Sequence, residues 1–136
     1  MKIAEIFDTM EYGPAPESND IALDWIKSHG GKFKLFVNGD WTEPNTQNWF
    51  KTINPANSTS LAQIAAADET DINAAVTAAR KAQKSWDKIG GHGRARYLYS
   101  LARAIQRNAR LLAVLESMDN GKPVRETRDI DIPLVV

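Results

Sequence analysis

Cysteine is absent from this 136-residue chain. Its absence excludes a disulfide framework, thiolate zinc sites and any mechanism in which the chain itself supplies a Cys nucleophile. Net charge is absent too, since 17 Lys and Arg balance 17 Asp and Glu, and histidine is scarce, with two residues. Neutrality removes the bulk attraction that nucleic acid or an anionic membrane would need in a partner. No apolar run approaches the roughly 18 residues that span a bilayer. Charges interrupt the first residues, Met1 to Asp8, so no signal-peptide core forms and cytoplasmic placement is the default expectation. There is neither an internal repeat nor a low-complexity tract. What is present is ordinary globular composition, 43% hydrophobic and 25% charged, at a length that fits one domain.

The neutrality conceals segregation. Residues 1–29 carry two Lys against six acids, net −4, whereas residues 80–110 carry nine Lys and Arg against Asp87 alone, net +8. Either the acidic stretch lies on a basic face of its own chain or of a neighbour, or both remain solvated.

Residues 1–32 read as an N-terminal helical arm. Ile3, Phe7 and Met10 have helical spacing before Gly13-Pro14-Ala15-Pro16 breaks the chain. Ser18 or Asn19 then caps a short helix carrying Ala22, Trp25, Ile26 and His29, ended by Gly30-Gly31. The period changes afterwards. Phe33 to Val37 is a strand candidate, Asn38-Gly39 a tight hairpin turn, and Asp40-Trp41-Thr42 the returning strand. Trp49 to Ile53, stopped by Asn54-Pro55, and Leu61 to Ala65 complete an expected small antiparallel β meander.

From residue 68 the pattern is helical. Asp68 and Asp71 resemble a capping box, followed by the stripe Ile72, Ala75, Val76, Ala79, Gln83 and Trp86. After Gly90-Gly91 a second helix is expected to bury Leu98, Leu101, Ala102 and Ile105. A third, capped by Asn108, turns Leu111, Leu112, Leu115 and Met118 inward until Asn120-Gly121. Pro123 suits the start of a fourth, which Pro133 kinks, shortens or cuts off. The apolar ending Ile132 to Val136 reads as an element interrupted, or alternatively as a short docking strand.

No catalytic constellation emerges from the side chains. His29 and His92 lie far apart, and neither shares helical spacing with a second ligand. Gly90-Gly91-His92-Gly93-Arg94 lacks both phosphate-loop glycine patterns and is read as a helix connection. Arg96, Arg103, Arg107 and Arg110 share one face near Tyr97 and Tyr99, more simply a solvated or packing face than a nucleic-acid surface. Asp129 and Asp131, two apart, make a poor acid–base pair.

The order of motifs carries more. Phe36-Val37-Asn38-Gly39-Asp40-Trp41 precedes Thr52-Ile53-Asn54-Pro55-Ala56. Ala67-Asp68-Glu69-Thr70-Asp71-Ile72-Asn73-Ala74-Ala75-Val76 follows, with Ala78-Ala79-Arg80 and Trp86. Arg94-Ala95-Arg96, Leu101-Ala102 and Met118-Asp119-Asn120-Gly121-Lys122-Pro123 close the series. From about Phe33 onward this order resembles the N-terminal part of the aldehyde dehydrogenase superfamily. The acidic arm and Arg128-Asp129-Ile130-Asp131-Ile132-Pro133 are similar to the long, family 16 type members.

The resemblance implies an α/β, Rossmann-type parent fold, of which this stretch is an α+β piece: an antiparallel meander and three to four helices. Residues 33–136 would be the N-terminal part of the cofactor-binding domain, incomplete here. Family members oxidise aldehydes to carboxylic acids with NAD or NADP through a Cys thioester. Their Cys, Glu, oxyanion-stabilising Asn and cofactor-binding Lys match no position here, so the piece is expected to bind no cofactor and to be inactive alone. Thr52, Ile53 and Asp119 correspond to part of a monovalent-cation site, and Ile130, Pro133 and Leu134 to the mouth of the substrate tunnel. The implied partners are the rest of the dehydrogenase chain and further copies in a homo-oligomer, without nucleic acid or membrane. Two rivals remain: a non-enzymatic helical interaction module working through its basic face, and a DNA-binding helical domain.

Overall fold

The computed structural model describes residues 18–136. The expected helix around Ile3, Phe7 and Met10 lies outside the described residues. Helix α1 (Asp20–Ser28) is followed by the short strands β1 (Lys32–Phe33), β2 (Leu35–Val37) and β3 (Asp40–Thr42). Strands β4 (Trp49–Ile53) and β5 (Ser60–Ala65) lead into three long helices, α2 (Glu69–Lys88), α3 (Gly90–Arg107) and α4 (Ala109–Asn120). The chain then makes a short helix α5 (Val124–Glu126), a π-helical turn (Thr127–Asp131) and a last short helix α6 (Ile132–Leu134). The α+β class and the succession of strands then helices are as expected.

The sheet connectivity corrects the meander. Strands β2 and β3 form an isolated antiparallel hairpin, while β1, β5 and β4 make a second sheet in that order. Within it β4 and β5 are antiparallel, but β1 joins β5 in parallel. The hairpin turn itself is as expected: Asn38 and Gly39 have φ of 55° and 92°, the pair of positive values that a type I′ turn requires.

The physical reason that β3 and β4 do not pair is visible in the loop between them. Asn45 donates its backbone N–H to Asp71 Oδ2 at 3.1 Å and its Nδ2–H to Asp68 Oδ2 at 2.8 Å. The loop is thereby tied to the start of α2, and β4 takes its place at the sheet edge beside β5. At the start of α2 the expected capping box is complete: Asp71 N–H donates to Asp68 Oδ1 at 3.0 Å, and Asp68 N–H donates to Asp71 Oδ2 at 3.1 Å. The extended segment from Lys32 to Val37 is therefore divided between two sheets, with Lys34 at the handover and its ammonium 2.9 Å from Glu43. Burial alternates without a break across it: Phe33, Leu35 and Val37 are half-buried, while Lys32, Lys34 and Phe36 are exposed.

The core sits on α4. Ala22 of α1 packs with Val114 and Met118, surrounded by Leu61, Leu111, Leu115 and Val124. Thr127, fully buried in the π turn, donates through Oγ1 toward the Ala113 carbonyl at 2.9 Å and the Val124 carbonyl at 3.0 Å. Beyond it, Pro133 has no N–H for an α-helical bond, and the chain widens to π geometry just before it.

Two further expectations are corrected. Helices α2 and α3 contain no buried residue, and Ile72, Val76, Leu98 and Leu101 are all exposed. Periodicity orients such stripes, but among the described residues no layer lies over them. Asn108 does not cap α4 with its side chain; its Nδ2–H donates back to the Ala104 carbonyl at 2.9 Å, closing α3 instead.

The hydrogen bond from Asn45, and after it the Asp71 N–H, holds the Asp68 carboxyl below its ordinary value of 3.8. A depressed folded pKa makes this contribution present at neutral pH and lost as pH falls through that lowered value. Asn45→Ala is therefore expected to destabilise the chain at neutral pH. The difference from wild type should shrink in urea titrations taken progressively below about pH 4.

Candidate functional site

The joint between the end of β4 and the end of α4 is where candidate residues converge. Thr52 pairs across the ladder with Ala62, and its Oγ1–H donates to Asp119 Oδ1. Between Thr52 and Ile53 the β4–β5 register shifts, so that Ile53 pairs with Ser60. Such a shift bends the strand and commonly re-aims groups beside a site. Asn54 is buried after it; its N–H donates to the Thr59 carbonyl, and its Oδ1 accepts the Ala56 N–H, both at 2.9 Å.

On the helix side, Asp119 is the penultimate residue of α4. A carboxylate there adds to the negative end of the helix dipole, an arrangement that hydroxyl donors or a cation relieve. Gly121 follows with φ of 79°, and a Cβ at that position would stand 2.9 Å from Pro55 Cγ. Glycine thus serves both the left-handed turn and the close approach of the two chain segments.

The structure brings Thr52 and Asp119 into contact, with Ile53 adjacent on the strand and its side chain exposed. The side-chain donors are one carboxylate and one hydroxyl, oxygens that suit a hard cation rather than a transition metal. Among the described residues no group of three or more His, Cys, Asp or Glu stands together as a metal site.

Beside this joint opens an apolar cleft of about 690 Å³. Trp25, Ile26 and Phe33 form one wall, Phe50, Leu61 and Ile64 the sheet side, and Leu112, Leu115 and Ile132 the helical side, with Glu116 and Asp119 at the rim. Trp25 and Phe33 stack with ring centroids 5.2 Å apart.

The other sequence candidates separate. Pro133 lines a groove of about 250 Å³ with Ile132 and Val136, whereas Ile130 and Leu134 are 58% and 82% exposed. His29 Nδ1 contacts the Trp25 carbonyl at 2.8 Å, and His92 is an exposed residue in the first turn of α3. The glycine run around it, expected as a helix connection, is itself the first turn of α3, and Ile89 alone separates α2 from α3. Arg128 takes Asp129 at 2.7 Å and Lys122 takes Asp131 at 2.5 Å, so the two acids are divided between different cations. The hydrogen bond to Asp131 also raises the Lys122 pKa. That pair escaped the sequence reading because it spans the turn at Pro123, where no helical period links the partners.

The sequence model of the aldehyde dehydrogenase family matches residues 41–136. The chain belongs to the aldehyde dehydrogenase family. Within that family, a long-chain-aldehyde dehydrogenase from Acinetobacter sp is 38% identical over 105 residues, which are 77% of this chain and 21% of that protein. A probable aldehyde dehydrogenase from Mycobacterium tuberculosis is 36% identical over 111 residues, 82% of this chain and 22% of its own length. Among solved structures, a variant of the Bacillus cereus aldehyde dehydrogenase superimposes with a TM-score of 0.77 at 34% identity, covering 89% of this chain and 24% of that one. The chain thus spans about a fifth of the length of the curated relatives it matches, as an N-terminal segment of the superfamily.

The Pro55–Gly121 contact makes the joint testable. Gly121→Ala is expected to destabilise the chain by about 1–3 kcal/mol, from the left-handed φ and the displaced proline ring. Urea unfolding reads this as a lower midpoint; a change under about 0.5 kcal/mol would show that the joint yields freely.

Proposed function

We propose that this chain is the opening part of the cofactor-binding domain of an NAD(P)-dependent aldehyde dehydrogenase. The observation that carries the reading is the family match over residues 41–136, combined with coverage of about a fifth of the relatives. In the proposed enzyme, residues 33–136 begin the cofactor-binding domain, and residues 1–32 lead into it. The substrate is an aldehyde, the product a carboxylic acid, and the covalent intermediate a thioester on a cysteine outside this stretch. NAD or NADP accepts the hydride; in support, one solved relative, the aldehyde dehydrogenase from Bacillus cereus, is an NAD+ complex. The assignment to the long, family 16 type rests on the acidic arm and the Arg128 to Pro133 motif.

This chain's part is structural. With no cysteine it has no thiolate to offer an aldehyde carbonyl. The exposed faces of α2 and α3 and the open apolar cleft suit burial by the remainder of the enzyme, and further copies complete a homo-oligomer. Thr52, Ile53 and Asp119 contribute to a monovalent-cation site that rigidifies the β4–α4 joint. Ile130 and Leu134, four apart on one helical face, line the mouth of the substrate tunnel with Pro133 at its edge. No described helix is long and apolar enough to cross a membrane, and cytoplasmic placement belongs to the same proposal.

A second reading draws on one observation: α2 and α3 bury no residue and carry eight of the 17 Lys and Arg. On that reading the chain is a helical interaction module that binds an acidic partner through this face.

The purified chain, given aldehydes with NAD or NADP, is expected to produce no reduced nucleotide; measurable turnover would overturn the assignment of chemistry to the missing part. For the cation, replacing choline chloride by sodium or potassium chloride at equal ionic strength is expected to raise Tm by roughly 2–5 °C. Asp119→Asn should abolish that rise, each salt being compared with the same variant in choline. Equal melting in all three salts, for the wild-type chain, would remove the cation from the joint.

A further inference from the structure

Two Asn-Gly dipeptides occur in the chain, Asn38-Gly39 and Asn120-Gly121, and the fold treats them oppositely. In such a pair the backbone nitrogen of the glycine can attack the side-chain carbonyl carbon of the asparagine, since no Cβ hinders its approach. The N–Cγ bond forms, the carboxamide C–N bond breaks, and ammonia leaves with the glycine N–H proton. A five-membered succinimide remains. Water opens it at either carbonyl to give aspartate or isoaspartate, with no change of oxidation state. The reaction needs a free N–H, a free carboxamide and a backbone able to leave turn or helix geometry.

The β2–β3 hairpin offers all three. Its ladder ends at the Val37–Asp40 pair, leaving Asn38 and Gly39 as an exposed two-residue loop. Among the described residues nothing accepts a hydrogen bond from the Gly39 N–H or holds the Asn38 carboxamide. A Cβ on Gly39 would meet nothing within 4 Å, so the loop has open space around it. Where the hairpin approaches α2, the groove between them is lined by Ala75, Ala78, Ala79 and Ala82, whose methyl groups offer little grip. The hairpin is a separate two-stranded sheet of three residue pairs, a size that is marginal in water, so its tip opens locally at little cost.

Asn120 meets none of these conditions. The Gly121 N–H donates to the Ser117 carbonyl at 3.0 Å, and Asn120 Oδ1 accepts the Lys122 N–H at 2.8 Å. Ser117 Oγ–H donates to the Lys122 carbonyl at 2.7 Å, closing the same turn, and Gly121 is lodged against Pro55. Freeing this pair means unwinding the end of α4, the helix that carries the core.

We propose that Asn38 is a site of spontaneous deamidation, and that the fold protects the identical dipeptide at Asn120. Isoaspartate formed from Asn38 runs the chain through its side-chain carbon. It adds a backbone atom to a turn whose two positive φ angles set the strand register. Either product also places a new carboxylate two residues from Asp40. The hairpin, with its Phe36 and Trp41 ring centroids 5.0 Å apart, is therefore the part of the chain that ageing dismantles.

The test incubates the full chain in mildly alkaline buffer and follows conversion of amide to acid at each asparagine by peptide mass spectrometry. Asn38 is expected to convert about tenfold or more faster than Asn120, as its opening is the easier. In concentrated urea, where the fold is gone, the two rates should converge. A native ratio near unity, the same ratio in urea, or an intact Asn38 in the native chain while urea converts both, would each overturn the proposal. Asn38→Gly removes the carboxamide but keeps the turn, since Gly-Gly suits the same type I′ geometry. This variant should retain its Phe36–Trp41 contacts in NMR spectra throughout, whereas the wild-type chain loses them in step with conversion. Contacts that persist in the purified isoaspartate fraction would refute the dismantling of the hairpin.

Discussion

Burial around α4 is the constraint on which the remaining structure depends. Its Val114 and Met118 take the Ala22 contact of α1, its Ala113 carbonyl receives the buried Thr127 hydroxyl, and its last turn meets β4 through Thr52 and Pro55. Helix, π turn and sheet are thus tied to one twelve-residue element. A helix of that length is marginal in isolation, so its order comes from the groups that close around it. By contrast, α2 and α3 are longer and bury nothing, their local order resting on the capping box, helical hydrogen bonds and contacts such as Trp86 on Tyr97.

This division explains why the candidate site lies where it does. A carboxylate at a helix C-terminus is electrostatically costly unless something offsets it. Asp119 has the Thr52 hydroxyl, and Thr52 is placed by a sheet whose ladder shifts register at the next residue. The joint therefore couples the stability of the sheet to the end of α4. It gives this segment of the family a defined geometry where sheet and helix meet.

Local chemistry was legible in the sequence wherever a side chain acts on its own neighbourhood. The Asp68–Asp71 box, the Asn38-Gly39 turn and the left-handed Gly121 each depend on residues within a few positions, and each is found in place. Thr52 and Asp119 were paired through the family resemblance, because nothing in a spacing of 67 residues announces a contact. What escaped the sequence was partnership at a distance. Asn45 ties the β3–β4 loop to α2, and Thr127 anchors the π turn to α4; Asn108 is the local exception, closing the helix before it instead of capping the one after. The stripes on α2 and α3 were legible as amphipathic faces but not as exposed ones, since periodicity orients a face without supplying what covers it.

The handover at Lys34 has a consequence beyond local pairing. One uninterrupted inside–outside alternation runs from Lys32 to Val37 while the chain leaves a parallel partner for an antiparallel one. The two sheets are thereby phase-locked: a single residue gained or lost at this seam would reverse the facing of one sheet relative to the other. The six residues act as a ruler that both sheets share.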